Sequence, residues 1–300
     1  MSEQVAEHVL SAAAEPLVTP EWLNTHLGDR DLLIIDVRSV VDGGGREAYE
    51  AGHIPGAVHS DYVKDGWRAT KGMASGLLPD RAALAGLFSR IGLTPQHHAV
   101  VVSAGTTVGD FSAAARVYWT LKIAGHGKTS VLSGGMAAWD RDPTRPLAAG
   151  TVPARPPSPP YPIRLVPELR ADVGAVASAI ADRTTVLLDS RATNFFEGRA
   201  KSPQATRAGR LPGATQLDHV VAFDSTAHTL KSKAELERIF APIPAQPVIN
   251  YCNTGHQAAT NWFVLSEVLG RPGVSLYDGS LSEWTEEPSR PVDVGPAESS

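Results

Sequence analysis

The sequence predicts an α/β protein of two similar domains, each a parallel sheet with helices on both faces. Three observations carry this expectation. Short β-branched runs alternate with helical patterns along the chain, blocks of sequence recur in the same order in both halves, and a proline-rich stretch separates the halves.

In the first half, LLIIDV (32–37), AVVVS (99–103) and TSVLS (129–133) are short apolar runs bounded by turn residues. Runs of this kind, without polar alternation, predict strands buried on both faces of a parallel sheet. Between them, RAALAGLFSRIGL (81–93) and FSAAARVYWTLKIAG (111–125) place apolar residues at three-to-four spacing and reach glycine near their ends, as helices often do. The second half repeats the scheme. TVLLD (185–189), PVINY (247–251) and GVSLY (273–277) are its strands, and KAELERIFAPI (233–243) and HQAATNWFVLSEVLG (256–270) its helices.

The repeat is also written in the residues. VLSGGMAAWDRDPTRPL (131–147) aligns without gaps with LYDGSLSEWTEEPSRPV (276–292), matching Gly134 to Gly279, Trp139 to Trp284 and Arg145 to Arg290. Upstream, AGHIPGA (51–57) matches AGRLPGA (208–214), and LIIDVR (33–38) matches VLLDSR (186–191). Between the halves, AGTVPARPPSPPYP (149–162) holds six prolines, which preclude a helix and favour extended chain. The expected boundaries are therefore 1–148 for the first domain, 149–162 for the linker and 163–300 for the second domain, with the tail GPAESS frayed.

Composition narrows the functional classes. A net charge of −5 gives no reason to expect nucleic acid as a partner. No apolar run approaches the roughly 20 residues that span a bilayer, and the N-terminus carries acids where a signal peptide carries positive charge. The expectation is a cytoplasmic protein without a membrane partner. A single cysteine, Cys252, excludes an internal disulfide and a cysteine-rich metal cluster. Neither metal nor cofactor is expected, and the adjacent His97 and His98 read as surface residues. A modified Cys252 has no second thiol in its own chain and must pass its cargo to another molecule.

Cys252 opens the turn between PVINY and the following helix. In open parallel sheets, ligands bind beyond the carboxyl ends of the strands, where strand runs into helix. Successive N–H groups in a tight glycine-containing loop, with the positive end of a helix behind them, form an anion cradle. A thiolate is such an anion. The alternative, a small buried hydrophobe, is the ordinary fate of a free cysteine, and the placement of Cys252 argues against it.

The combination of D-x-R, GHIPGA or GRLPGA, a cysteine loop in the second half and G-x4-W followed by P-[TS]-R-P resembles the rhodanese family. In tandem form it is similar to thiosulfate and 3-mercaptopyruvate sulfurtransferases, over both halves of the chain. The resemblance implies that Cys252 attacks a sulfur donor, holds the sulfur as a persulfide and transfers it to an acceptor. It implies that the loop Asn253, Thr254, Gly255, His256, Gln257 and Ala258 cradles the bound sulfur. Aligning PVINYC with AVVVSA sets Ala104 opposite Cys252, so the first domain is expected to be catalytically silent.

By the same resemblance Arg191, in the DSR motif, takes the position of a substrate-anion arginine, or else serves as a salt bridge to Asp189 as Arg38 does to Asp36. Arg199, on the same connecting segment, is a second candidate anion contact. Arg210, where the first half has His53, keeps a turn role at the surface. His256 either meets substrate or raises the thiolate content of Cys252, or else faces solvent. Mercaptopyruvate-using members draw on a Ser/Thr–His–Asp relay, for which Thr254 and Asp61 are the candidates here. The histidine of that relay is replaced within Gly76-Leu77-Leu78-Pro79, leaving His59 as a substitute.

The loop CNTGHQ carries neither the basic residues of thiosulfate-using members nor the small neutral pattern of mercaptopyruvate-using ones. The expectation is a thiosulfate-type sulfurtransferase with cyanide, a thiol or thioredoxin as acceptor. The alternatives are a mercaptopyruvate sulfurtransferase and a non-turnover sulfur carrier or regulatory binding module. A cysteine-dependent phosphatase or arsenate reductase is excluded, because the position six residues after Cys252 is Ala258 and not the arginine that clamps a tetrahedral dianion.

Overall fold

A computed structural model describes residues 14–42, 44–151 and 159–296. Its strands are β1 (Leu17–Val18), β2 (Leu32–Asp36), β3 (Val58–His59), β4 (Ala69–Lys71), β5 (Ala74–Leu77), β6 (His98–Val102), β7 (Thr129–Leu132), β8 (Val186–Asp189), β9 (Thr215–Gln216), β10 (Phe223–Asp224), β11 (Thr229–Leu230), β12 (Val248–Tyr251) and β13 (Val274–Leu276). The first sheet runs β1-β7-β6-β2-β3 and the second β13-β12-β8-β9, all parallel. The repeat is thus a repeat of topology. In the second half a single parallel bridge between Arg170 and Leu276 stands where β1 flanks β7.

Every residue of β2, β7, β8 and β12 is buried, which explains their unbroken apolar character. Each sheet packs one face on a cluster of its own, around Ile34, Val100 and Trp139 in the first domain and Leu187, Ile249 and Trp284 in the second, and the other faces share a core. One cluster joins Leu33, Ile35 and Val101 of the first domain to Leu188, Val248 and Leu276 of the second. The helix Val108–Ile123 is the bridge: it is buried on nearly all sides, its polar residues Asp110, Ser112, Arg116 and Thr120 included. Phe111 and Tyr118 on it meet Phe263 edge-on at 5.6 and 4.9 Å, and Ser112 and Thr260 share a 2.8 Å hydrogen bond across the interface. The facing helix begins as Ala258–Trp262 and continues as a π-helical stretch, Phe263–Val268.

Of the expected linker, 152–158 lie outside the described residues. Its far end is anchored: Tyr161 is buried and its hydroxyl meets His126 Nδ1 at 2.7 Å. Of the tail, 297–300 lie outside the described residues, whereas Gly295 donates to Glu197 O at 2.8 Å. Arg210 is buried, against the expectation of a surface position. Its guanidinium stacks on Phe196 and bonds the Gly295 carbonyl at 2.6 Å.

Strand register corrects the alignment of the cysteine. Asp36 lies opposite Val102, and its counterpart Asp189 lies opposite Tyr251. The residue that follows Val102 is Ser103, so Ser103, not Ala104, occupies the place of Cys252. Loop anchoring agrees: Met136 N–H donates to Ser103 O as Leu281 N–H does to Cys252 O. The apolar run AVVVS counted Ser103 into the strand, but the strand closes at Val102. The helix then starts at Val108, five residues after Ser103, whereas Ala258 is six after Cys252.

Candidate active site

Cys252 is the first residue beyond β12 and is 1% exposed. The loop turns at Gly255, with φ +69, where a Cβ would lie 2.7 Å from the Asp278 carbonyl oxygen. Only glycine allows so close an approach in that conformation. The segment beyond β13 holds the loop in place. Leu281 N–H donates to Cys252 O and Ser282 N–H to Asn253 O, at 3.2 and 2.9 Å. Ser280 Oγ accepts from Cys252 N–H and Gly255 N–H, each at 3.1 Å, and donates to Tyr277 O at 2.7 Å. Ser280 has φ +49 where the other half places Gly135 at φ +55, and a serine in the left-handed region is a costly choice. Its hydroxyl ties the two ends of the loop together.

The remaining loop amides are free. The N–H groups of Asn253, Thr254, His256 and Gln257 have no protein acceptor among the described residues. Unpaired donors in a half-buried turn form a nest for an anion.

The first domain closes over this loop through the β4–β5 hairpin. Gly76, with φ +87, presses on the loop so tightly that a Cβ would fall 2.1 Å from Thr254 O. Leu78 N–H donates to Asp278 Oδ2 at 2.5 Å, and Ser75 and Ser282 exchange hydrogen bonds at 3.2 and 2.9 Å. Behind the hairpin, the fully buried Arg116 grips Gly76 O with Nη1 and Nη2, at 3.1 and 2.9 Å. Burial holds its pKa below the usual arginine value.

His256 meets the first domain as well. Its Nδ1 shares a 2.8 Å hydrogen bond with the hydroxyl of Tyr62, which is itself buried. Burial first, then the nearby Arg68, His219 and Arg116, push the His256 pKa down to about 3. The imidazole is therefore neutral near pH 7, so it supplies no positive charge to the thiolate. Burial raises the Tyr62 pKa, Arg68 and Arg116 oppose the rise, and Cys252 adds to it.

The other expected site residues fall in different places. Arg191 is buried and committed to Asp189, with Nε at 2.9 Å from Oδ1 and Nη2 at 2.5 Å from Oδ2. Nη2 also reaches Gly209 O at 2.8 Å, and Nη1 lies 3.3 Å from Asn253 Oδ1. Burial opposes its charge, but hydrogen bonding and attraction to Asp189 prevail and raise its pKa. Arg38 repeats this arrangement on Asp36 in the half without cysteine. Arg191 thus meets the loop through the Asn253 side chain while its other nitrogens hold Asp189 and Gly209 O.

Arg199 is 66% exposed and paired with Glu197. No hydrogen bond or ion pair joins it to the loop among the described residues. Asp61 Oδ1 accepts from Val63 and Lys64 N–H in its own turn, at 2.8 and 3.0 Å. His59 Nε2 bonds Arg38 O at 2.9 Å. Among the described residues no hydrogen bond joins Thr254, Asp61 and a histidine in a relay, and the tight fit at Gly76 leaves no space for a side chain there.

Tyr62, Arg68, Arg116 and Ser280 are the residues sequence reasoning missed. Ser280 had a signal, since the repeat sets it against Gly135 at a position that demands glycine. The other three come from the domain that lacks the cysteine, and their neighbourhood follows only from domain packing.

Comparison with known proteins agrees with this architecture. The rhodanese-like domain model matches residues 19–142 and 172–287. A thiosulfate sulfurtransferase of Corynebacterium glutamicum is 31% identical over 95% of this chain and 92% of its own length. A thiosulfate sulfurtransferase of Pseudomonas aeruginosa is 31% identical over 93% and 97%. Among solved structures, SseA of Escherichia coli, described as a 3-mercaptopyruvate sulfotransferase, superposes with a TM-score of 0.75. It is 28% identical, over 89% of this chain and 99% of that one. Two domains of one topology, a cysteine at the strand end of the second and matches across both halves lead to one conclusion: the chain belongs to the rhodanese-like domain family, with two copies in tandem.

Proposed function

We propose that the protein is a thiosulfate sulfurtransferase with Cys252 as its nucleophile. The observation that carries this is the loop itself: a cysteine at its base and four backbone N–H groups without an acceptor. An anion held there needs no other cofactor. The Cys252 thiolate attacks the outer sulfur of thiosulfate, forming a new S–S bond. The bond between the two thiosulfate sulfurs breaks, and sulfite leaves with its electron pair. The persulfide carries the negative charge, which the amides of Asn253, Thr254, His256 and Gln257 stabilise. Cyanide or a thiolate then attacks the terminal sulfur, and the Cys252 thiolate leaves. With one cysteine in the chain, the acceptor is a second molecule, either a small nucleophile or a protein thiol such as thioredoxin.

Mercaptopyruvate is the less favoured donor. Its reaction must deliver a proton to the departing enolate, and the Thr254–histidine–Asp61 relay that would do so is interrupted at Gly76. A cytoplasmic setting belongs to the same proposal, because the reaction requires a reduced thiol and that compartment maintains one.

Thiosulfate and cyanide should yield thiocyanate and sulfite with the purified protein. Cys252→Ser should remove both this turnover and the mass gain of one sulfur atom after exposure to thiosulfate. Persisting turnover in the variant would reject the mechanism. Sulfur loading without turnover to any small acceptor would instead identify a carrier that delivers to a protein.

A further inference from the structure

Near the loop, one guanidinium has no hydrogen-bond or ion-pair partner among the described residues. Arg68, on the turn leading into β4, is half-buried, and its Nε is buried without a hydrogen-bond acceptor. None of its nitrogens makes a hydrogen bond or ion pair among the described residues. Its guanidinium lies over the ring of Tyr62, with Cζ 4.5 Å from the centroid. Tyr62 in turn bonds His256, within the cysteine loop.

The carboxylates around the loop are already engaged. Asp189 holds Arg191, Asp278 holds Arg170 Nε at 2.7 Å and Leu78 N–H, and Asp61 caps its own turn. A buried donor left unpaired is costly, and an uncompensated guanidinium beside an anion cradle is the arrangement that selects an anionic ligand.

We propose that Arg68 is a specificity-determining residue supplied by the first domain, which binds the sulfonate end of thiosulfate while the outer sulfur faces Cys252. This rests on the function proposed above and adds the source of the charge that the neutral loop CNTGHQ lacks. The Tyr62 ring holds the guanidinium plane in place, and the Tyr62–His256 bond fixes that ring against the loop. A dianion gains more from such a cation than a monoanionic 2-oxo acid does. The first domain is thereby silent in chemistry but not in recognition.

The test separates binding from turnover. Thiosulfate binding is measured by calorimetry on Cys252→Ser protein with and without Arg68→Gln. Loss of one charge-assisted contact should weaken binding about tenfold or more. In the otherwise wild-type protein, Arg68→Gln should raise the thiosulfate KM by a similar factor and leave kcat within about twofold, the pattern of lost ground-state binding. Arg68→Lys should fall between the two, since it keeps the charge and loses the planar fork. Unchanged thiosulfate affinity in Arg68→Gln, with an unaltered melting temperature, would overturn the assignment. Absence of turnover in the wild-type protein would overturn the proposed function alone, because the binding measurement still reads Arg68.

Discussion

The loops at Ser103 and at Cys252 occupy the same place in two copies of one fold, yet their amides are treated in opposite ways. After β6, the Asp110 carboxylate folds back and accepts the N–H groups of Gly105, Thr106 and Thr107, at 3.3, 2.8 and 2.9 Å. It also takes the Thr106 hydroxyl at 2.7 Å, and Thr107 completes a capping box with it. The first domain thus carries its own anion in its cradle. After β12, among the described residues, no carboxylate accepts from the loop amides of Asn253, Thr254, His256 and Gln257. The two loops thus differ twice over: serine stands at the strand end in place of cysteine, and the amides beyond it already have an acceptor.

The largest effect should come from moving the nucleophile. Cys252→Ser reproduces the residue found at Ser103, and sulfur loading should vanish. Ser103→Cys restores a thiol at the mirrored strand end, yet a thiosulfate-dependent mass gain there should stay undetectable in a Cys252→Ser background. The Asp110 carboxylate would repel both a thiolate and an incoming dianion. Sulfur loading of that variant at a rate near that of the wild-type protein would show that the cysteine alone makes the site.

How much of this was legible beforehand follows from the type of interaction. The sheets, the repeat and the position of Cys252 depend on local patterns: apolar runs, glycine turns and a strand leading into a helix. Those were readable in residues such as Val248–Tyr251 and Gly255. The error at Ala104 arose because a serine can end a strand or begin a loop, and only pairing of Val102 with Asp36 decides which. Arg191 was ambiguous for a related reason. Its sequence neighbours name a partner, Asp189, and say nothing about whether the remaining nitrogens are free. Tyr62 was invisible because it meets His256 across the domain interface, and Arg68 and Arg116 because their neighbours, the Tyr62 ring and Gly76 O, are set by packing that no sequence spacing records.

Arg38 and Arg191 offer a second way to probe the comparison. Both sit bidentate on the aspartate at the end of the first central strand, and both are buried. If Arg191 is scaffold, Arg38→Ala and Arg191→Ala should lower unfolding stability alike, each by about 3–5 kcal/mol, since each leaves a buried carboxylate unpaired. Urea denaturation followed by tryptophan fluorescence measures this. Arg191→Lys should then alter the thiosulfate KM no more than Arg38→Lys does. A KM increase confined to Arg191→Lys would return this residue to the substrate site.

The smallest effect is expected at Asp110, and it tests whether the filled loop of the first domain influences the open loop of the second. Asp110→Asn keeps one carbonyl oxygen for the loop and removes the charge that three backbone donors and a hydroxyl share. The loss should be about 1–3 kcal/mol, the range for withdrawing an acceptor from buried donors. Part of it reflects the capping box at the start of the helix Val108–Ile123. Because that helix also lines the interface with Trp262 and Phe263, a loop that merely frayed would leave sulfur transfer within about twofold of wild type, whereas a displaced helix would disturb both domains together. Thiosulfate turnover measured well below the unfolding midpoint distinguishes these outcomes. Unaltered turnover with reduced stability would confine Asp110 to its own loop, and a kinetic defect would mean that the filled cradle of one domain helps shape the open cradle of the other.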